Sequence, residues 1–223
     1  MSAPLRLVLF DVDGTLVDSQ GSIVHCMTAS FQAASVPVPT RKAILSIVGL
    51  SLPHAIARLA PEQPLSVQND LVDGYKEAYH AHRLELGAAS SPLYPGAREA
   101  IEALHAVPEV LLGVATGKSQ RGLDALIEAH GLEPYFVTRQ VADHHPSKPH
   151  PSMVQTALAE TGVDPACAVM IGDTSFDMDM AAAAGVRGIG VIWGYHDRSA
   201  LTAASCIIET FDQLPNALAG MWN

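Results

Sequence analysis

The chain is poor in cysteine, in aromatic residues and in positive charge. Its 223 residues include 3 cysteines, 5% aromatic residues, and 13 lysines and arginines against 23 aspartates and glutamates. The resulting formal net charge of −10 argues against nucleic-acid binding, because such a surface repels a polyanion. Cys26, Cys167 and Cys206 have no metal-ligand spacing, and Cys167 and Cys206 lie in apolar, strand-like runs. We interpret all three as reduced core residues of a cytosolic protein.

Long apolar runs are also missing. No stretch reaches the roughly 20 apolar residues that a membrane-spanning helix needs. The first apolar run ends at Asp11, which is too early for a secretory signal. The 10 histidines are scattered and form no set with carboxylates at zinc-site spacing. We therefore expect no membrane partner and no zinc site, and the apolar fraction of 48% is sufficient for a substantial core.

Two aspartates stand directly after a predicted buried strand. Asp11 and Asp13 follow the apolar run LRLVLF. Carboxylates so close together raise each other's pKa, and burying them without partners costs free energy. A divalent cation, or a covalent step that needs one acid and one nucleophile, would offset that cost. Gly14 allows a tight turn and Thr15 supplies a hydroxyl. Because D-x-D-G also occurs in calcium loops and in solvated turns, this segment alone leaves those alternatives open.

A second segment places a hydroxyl between a strand and a helix. The apolar run 110–115 is typical of a strand buried on both faces, and Thr116, Gly117, Lys118 and Ser119 follow it before a helical pattern. A hydroxyl at this position suits an anionic oxygen. An ordinary helix cap at Ser119 explains the same residues equally well. No G-x-x-x-x-G precedes Lys118, so the segment is not a P-loop.

Two later segments carry a lysine and further acids. Lys148 lies between predicted turn residues, with prolines that stiffen the backbone after it, although a lone lysine is more often solvated. A predicted strand over 166–171 leads to Asp173, which is placed as a ligand for a hard cation. Asp177 would lie behind Asp173 on the following helix, whereas Asp179 is expected to be solvated or capping. Four such strand or turn ends converge at one edge of a parallel sheet.

The order of the predicted elements indicates an α/β fold with an insert. Strands are predicted near residues 5–10, 110–115, 167–171 and 187–192, with weaker strands near 135–138 and 206–208. Helices between them give the β/α alternation of a parallel sheet. The region from Ser19 to Leu93 contains no convincing strand and reads as helices over 20–35, 40–47, 52–60 and 65–86. It is predicted to form a second, all-helical domain.

These segments together resemble the motifs of the haloacid dehalogenase superfamily. DVDGTLVDS, ATGKS, the lysine of SKPHP and GDTSFD stand in the family's order, and the resemblance covers essentially the whole chain. The residues of these segments are most similar to those of subfamily IA phosphatases of the phosphoglycolate phosphatase type. The resemblance implies a Rossmann-like three-layer α/β/α core with a mainly parallel sheet over residues 1–18 and 94–223. It also implies a small helical cap over residues 19–93, inserted after the first strand.

The resemblance further implies a magnesium-dependent phosphatase that acts on a small phosphorylated metabolite, such as phosphoglycolate, through an aspartyl phosphate. It implies that the catalytic residues are Asp11, Asp13, Thr116 and Lys148. Magnesium would be bound by Asp11, the backbone carbonyl of Asp13, and Asp173, while Asp177 would have an orienting role. The implied substrate-binding residues are Gly14, Thr15, Gly49, Leu50, Thr116, Gly117 and Lys148. An ordinary turn between helices is an equally good interpretation of the loop that carries Gly49 and Leu50. The resemblance leaves a monomer and a homodimer open.

Several other activities occur on this architecture. Haloacid dehalogenases lack the second aspartate, and phosphonatases have a small residue in its place, so Asp13 counts against both. A phosphotransferase of the β-phosphoglucomutase type has the same core and cap and is the main alternative. A phosphate-binding module without catalysis is the third interpretation.

Overall fold

The computed structural model describes residues 4–222 and contains a six-stranded parallel sheet. Its strands β1 to β6 are Arg6–Phe10, Val110–Thr116, Phe136–Val141, Ala168–Gly172, Arg187–Val191 and Cys206–Ile208. The order across the sheet is β3-β2-β1-β4-β5-β6. Each of the six predicted strands is present, and β3 extends three residues beyond its predicted end at residue 138.

Nine α-helices accompany the strands in the described residues. Helices α1 to α9 are Gln20–Ala33, Arg41–Leu45, Leu52–Leu59, Leu65–Leu86, Ala97–His105, Gln120–His130, Ser152–Thr161, Ser175–Ala183 and Leu214–Met221. The first four lie between β1 and β2, where the sequence predicts only helices. No helix within residues 4–222 combines the length and the apolar character needed to cross a membrane.

The sheet is the middle layer of a three-layer core. In β1 alternate side chains point to opposite faces, so that Val8 and Phe10 join one apolar cluster while Leu7 and Leu9 join another. Helices α5, α6 and α9 cover the first face, and α7 and α8 cover the second. This arrangement confirms the predicted Rossmann-like α/β/α fold.

Helices α1 to α4 pack against one another around an apolar cluster of their own. Buried side chains from all four helices form it, among them Met27, Phe31, Ile44, Ile56 and Leu71. The chain leaves the sheet after β1 and returns beside it, where Val17 forms an isolated bridge with Leu93. The helical insert thus has a core separate from the two clusters that flank the sheet.

The strand order reverses next to β1. The chain runs from β1 outward through β2 and β3, and then returns to place β4 on the other side of β1. Phe10 and Ile171 are paired near the ends of these two neighbouring strands. Ligands in open α/β sheets bind beyond the carboxyl ends of the strands at such a reversal. The residues that follow β1 and β4, Asp11 and Asp173, therefore face the same crevice.

The three cysteines are free thiols, but only Cys26 is a core residue as expected. Cys26 is buried in α1, whereas Cys167 lies in a short 3₁₀ turn before β4 and is only half-buried. Cys206 is half-buried at the start of β6.

Candidate active site

Three buried carboxylates meet at the carboxyl ends of β1 and β4. Asp11, Asp173 and Asp177 each place one oxygen within 4.8 Å of the others, and none is more than 1% exposed. Asp177 reaches this position because Thr174 caps α8: the Thr174 hydroxyl accepts the Asp177 N–H, and Asp177 Oδ2 accepts the Thr174 N–H in return. This capping box turns Asp177 inward. Asp179, on the same helix, is exposed, as the sequence predicts.

One buried lysine contacts this acidic group. Lys148 Nζ lies 2.5 Å from Asp177 Oδ1, to which it donates a hydrogen bond, and 2.9 Å from Asp11 Oδ1. The approach to Asp11 is close enough for an ion pair but falls outside hydrogen-bond geometry, so neither oxygen of Asp11 accepts a well-aligned hydrogen bond. Asp11 is therefore a carboxylate with its acceptor sites open.

Burial dominates the electrostatics of these acids. It raises the pKa of Asp11 from 3.8 to about 7, against the nearby charge of Lys148, which lowers it. Burial also raises the pKa of Asp173 well above its usual value, and the charges of Asp11 and Asp177 add to the effect. Lys148 shows the reverse balance, since burial opposes its charge but Asp11 and Asp177 outweigh burial and raise its pKa. The cluster holds more negative charge than one lysine neutralises.

A divalent cation fits this cluster. The donor atoms are all carboxylate oxygens, which are the ligands that hard cations such as Mg²⁺ prefer. Both oxygens of Asp177 already accept hydrogen bonds, from Lys148 and from Thr174, whereas those of Asp11 accept none. Asp11 is thus the best placed of the three to hold an ion, and Asp177 is placed to orient Lys148.

Two neighbours fix the Asp173 carboxylate. Thr15 donates its hydroxyl to Asp173 Oδ1 at 2.9 Å, and the Tyr195 N–H donates to Asp173 Oδ2 at 2.8 Å. Gly14 has φ +87°, and a Cβ there would overlap the carboxylate of Asp173. The sequence predicts that Gly14 and Thr15 bind substrate, but their backbone amides donate to the Val17 and Val12 carbonyls and neither residue lines the cavity. The tight turn thus uses these donors, together with the Thr15 hydroxyl, to position Asp173, and substrate binding by Gly14 and Thr15 stays a prediction.

Asp13 lies in a separate hydrogen-bond network from the three acids. Lys118 Nζ donates to both of its oxygens, at 2.7 and 2.8 Å, and the Ser19 hydroxyl donates to Oδ1 at 2.5 Å. Tyr79 on α4 lies 3.3 Å from the Lys118 ammonium. Burial opposes the charge of Lys118, but Asp13 and Tyr79 outweigh it and raise the pKa of the lysine. Lys118 is thus a half-buried cation whose charge Asp13 balances.

A cavity of about 730 Å³ opens above Asp11 and Asp13, between the helical insert and the carboxyl ends of the strands. Thr116 and Gly117 line it from the end of β2, and Gly49 and Leu50 line it from the insert. A Cβ at Gly117 would lie 2.7 Å from the carbonyl oxygens of Gly49 and Leu50, so the two loops are in close contact. Ser119 caps α6 by accepting the Gly122 N–H, which is the ordinary role that the sequence left open.

Ser19, Tyr79 and Tyr195 belong to the site, although no pattern in the sequence selects them. The Tyr195 hydroxyl lies 2.9 Å from the Ser19 hydroxyl, which in turn contacts Asp13. Burial raises the pKa of the Tyr195 hydroxyl far above 10, and the charge of Asp13 adds to this effect. Tyr195 is 176 residues from Ser19 along the chain, so local pattern could not connect them.

Known proteins resemble the whole chain. Residues 8–191 match the family described as haloacid dehalogenase-like hydrolase. A probable phosphatase, IndB, of Dickeya dadantii (strain 3937) is 37% identical over 95% of this chain and 92% of its own length. A phosphoglycolate phosphatase of Mesorhizobium japonicum is 30% identical, over 98% and 96% of the two chains. The crystal structure of a β-phosphoglucomutase from Clostridium difficile superimposes with a TM-score of 0.84, at 16% identity, over 98% of this chain and 97% of that one.

Proposed function

Since the chain belongs to the haloacid dehalogenase-like hydrolase family and is a phosphatase of that family, we propose that it hydrolyses the phosphomonoester of a small metabolite with the help of magnesium. The observation that carries the proposal is the state of Asp11. This carboxylate lies in the lining of the cavity, at the end of a rigid strand, with both oxygens free of aligned hydrogen bonds. A carboxylate that is to attack phosphorus needs such an open oxygen.

The first chemical step uses Asp11 and Asp13. An Asp11 oxygen attacks phosphorus, the ester P–O bond breaks, and the leaving oxygen takes a proton from Asp13, so that an aspartyl phosphate and an alcohol result. In the second step Asp13 takes a proton from water, the water oxygen attacks phosphorus, and Asp11 leaves with the electron pair of its P–O bond. Ser19 and Lys118 hold the Asp13 carboxylate at the cavity while it exchanges protons.

The phosphoryl oxygens are held by groups around the floor of the cavity. Thr116 donates a hydroxyl, and Gly117 leaves space at the end of β2 because it has no side chain. Lys148 supplies a fixed positive charge, which Asp177 orients through their 2.5 Å hydrogen bond. Asp11, Asp173 and the backbone carbonyl of Asp13 would hold magnesium, which when bound neutralises charge on the phosphoryl group and on Asp11.

The helical insert, residues 19–93, serves as a cap over the core formed by residues 1–18 and 94–223. Three contacts support this role: Ser51 N–H donates to the Ser147 hydroxyl, Tyr79 contacts Lys118, and the loop with Gly49 abuts Gly117. Closure of such a cap excludes water from the aspartyl phosphate. Gly49 and Leu50 line the cavity, which supports a contact with the substrate.

Phosphoglycolate is the first substrate to test, because a relative of 30% identity carries that activity in its name. A phosphotransferase of the β-phosphoglucomutase type is the second candidate, since the fold is shared with such an enzyme. The relatives named as phosphatases favour hydrolysis.

A substrate panel distinguishes the two candidates. Purified protein with magnesium is incubated with phosphoglycolate, hexose phosphates, nucleoside monophosphates and pyrophosphate, and inorganic phosphate is measured. We expect phosphate release from at least one monoester without any primer. Conversion of β-glucose 1-phosphate that requires a bisphosphate primer, with no phosphate release from the other compounds, would favour the phosphotransferase.

A further inference from the structure

We propose that His80, Arg83 and Arg121 form a second anion-binding site in the cavity, which takes a carboxylate or another negative group of the substrate distant from its phosphoryl group. This inference rests on the proposed function and specifies its substrate class. All three residues line the cavity that contains Asp11. His80 and Arg83 belong to α4 in the insert, whereas Arg121 belongs to α6 in the core.

The two guanidinium groups meet at one imidazole ring. Arg83 Nη2 lies 3.3 Å from His80 Nδ1, and Arg121 Nη2 lies 3.2 Å from the same nitrogen and 3.1 Å from Nε2. Arginine can only donate, and a neutral imidazole has a single acceptor nitrogen, so His80 accepts at most one of these contacts. The ring nevertheless holds the two guanidinium groups beside each other. A ligand anion that bridges the arginines would relieve their mutual repulsion and would contact insert and core at once.

Neither arginine has an acid partner in the part of the chain that the structure describes. The ion pairs within residues 4–222 use other cations, such as Arg98 with Glu102 and Arg198 with Glu209. Among the described cations without an acid partner, Arg83 and Arg121 both line the cavity. A guanidinium group matches the planar, two-oxygen geometry of a carboxylate or phosphate.

Apolar side chains of the insert line the same cavity. Ile23, Met27, Leu50 and Leu52 are among them, and the cavity measures about 730 Å³. A two-carbon ester such as phosphoglycolate would fill only a small part of this space. The combination favours a longer phosphomonoester, with an uncharged middle section and an anionic end. The phosphoryl group would then lie at Asp11 and the second anion at the arginines.

Binding of uncleavable probes tests the site separately from catalysis. Carboxyalkyl phosphonates of increasing chain length are compared with alkyl phosphonates of the same length, in the presence of magnesium, by isothermal titration calorimetry. We expect the wild-type protein to bind the carboxylated compound about 10-fold more tightly at one chain length. Arg83→Gln and Arg121→Gln should each abolish most of this preference while they leave the affinity for plain alkyl phosphonates unchanged.

Arg198→Gln is the matched control, because it removes the same charge from a surface ion pair with Glu209. It should keep the preference. Equal or undetectable binding of the two compounds at every chain length would overturn the site. A similar weakening of both compounds in the two variants would also overturn it, because the arginines would then only contribute a general field. Phosphate release by the wild-type protein from the substrate panel reports on the proposed function independently of these outcomes.

Discussion

Asp11 is a residue that the fold alone does little to stabilise. It is buried, carries the repulsion of Asp177 and Asp13, and has one cation, Lys148, in contact. The rise of its pKa to about 7 measures how strongly the protein resists its charge. A residue retained at such a cost to stability fits a chemical role better than a structural one.

Asp11→Asn should therefore abolish turnover and leave the fold intact. An amide neither attacks phosphorus nor neutralises a cation, so we expect kcat to fall by at least about 10³-fold. In metal-free buffer the thermal unfolding midpoint should stay equal or rise, because the substitution removes one of three adjacent charges. Phosphate release and circular dichroism melting measure the two effects.

Asp179→Asn is the control for the Asp11 prediction. Asp179 is exposed on α8, so the same change of charge there should alter neither activity nor melting. If Asp11→Asn retained more than a few per cent of wild-type activity in a clean preparation, the assignment of the nucleophile would be wrong.

Asp13→Ala should separate two kinds of substrate. Without the acid, alkyl phosphates should be cleaved roughly 10²- to 10⁴-fold more slowly, whereas p-nitrophenyl phosphate has a leaving group that needs little protonation. Hydrolysis of the aspartyl phosphate also needs Asp13, so the variant should release a burst of nitrophenol followed by a slow steady rate. Stopped-flow absorbance measures the burst. Equal losses for both substrates without a burst would instead give Asp13 a structural role.

Among single residues, the sequence predicts those site residues whose local sequence context indicates their role. Asp11 and Asp173 each follow a buried strand, and Lys148 stands beside prolines. The sequence could not show that the Thr15 hydroxyl donates to Asp173, because the two residues are 158 positions apart along the chain. Tyr195 could not be selected from the sequence for the same reason, since its contacts exist only after the sheet has formed.

At the scale of helices, strands and loops, a contact between one loop of the insert and one loop of the core determines how closely the two parts approach each other. The loop after α2 contains Gly49, with φ +99°, and the loop after β2 contains Gly117. The absence of a side chain at Gly117 lets the carbonyl oxygens of Gly49 and Leu50 come close. The cavity is enclosed on this side by backbone, which moves less readily than a side chain.

Gly117→Ala should weaken catalysis by forcing the two loops apart. The new methyl group would lie 2.7 Å from two carbonyl oxygens, so the loop of the insert must retreat. Displacements of this size in a site commonly cost about 10²-fold, and we expect a loss of kcat/KM between about 10- and 100-fold. Steady-state kinetics on the best substrate of the panel measures it.

Gly21→Ala is the matched control, since a Cβ at Gly21 in α1 meets nothing within 4 Å. It should leave kcat/KM unchanged and raise stability slightly, because alanine is the better helix former. Wild-type kinetics for Gly117→Ala would mean that the two loops separate during turnover and that their contact has no catalytic role.

The elements themselves were predictable because their patterns are local. Apolar runs gave β1, β2 and β4, and helical periodicity gave α1 and the long α4. Boundaries that depend on distant contacts were less accurate. The pairing of β3 with β2 continues to Val141, beyond the predicted end of β3 at residue 138. Helix α2 ends at Leu45, two residues before its predicted end at residue 47 and before the turn that carries Gly49.

Over the whole molecule, the net charge is negative, but positive side chains are concentrated around the active site. The net charge of −10 repels phosphate esters at long range, yet Lys118 and Lys148 contact Asp13 and Asp11, and two arginines line the cavity. At distances of a few ångströms these local cations outweigh the distant acids, because the interaction falls with distance and is screened by salt. A bound cation would add further positive charge at the three acids, and its binding would stabilise the folded state of the entire chain.

Magnesium should therefore raise the thermal unfolding midpoint of the protein. An ion that binds the native state alone stabilises it by about 2.7 kcal/mol at a concentration 100 times its dissociation constant. For a chain of this size we expect an increase of roughly 5–10 °C by differential scanning calorimetry. Chelation should remove both the increase and the activity. Asp173→Asn should unfold at a midpoint that magnesium hardly changes, whereas Asp179→Asn should respond as the wild type does. If the wild-type midpoint did not respond to magnesium and full activity persisted after exhaustive chelation, Lys148 would be the only cation at the three acids, and metal-assisted catalysis would have to be abandoned.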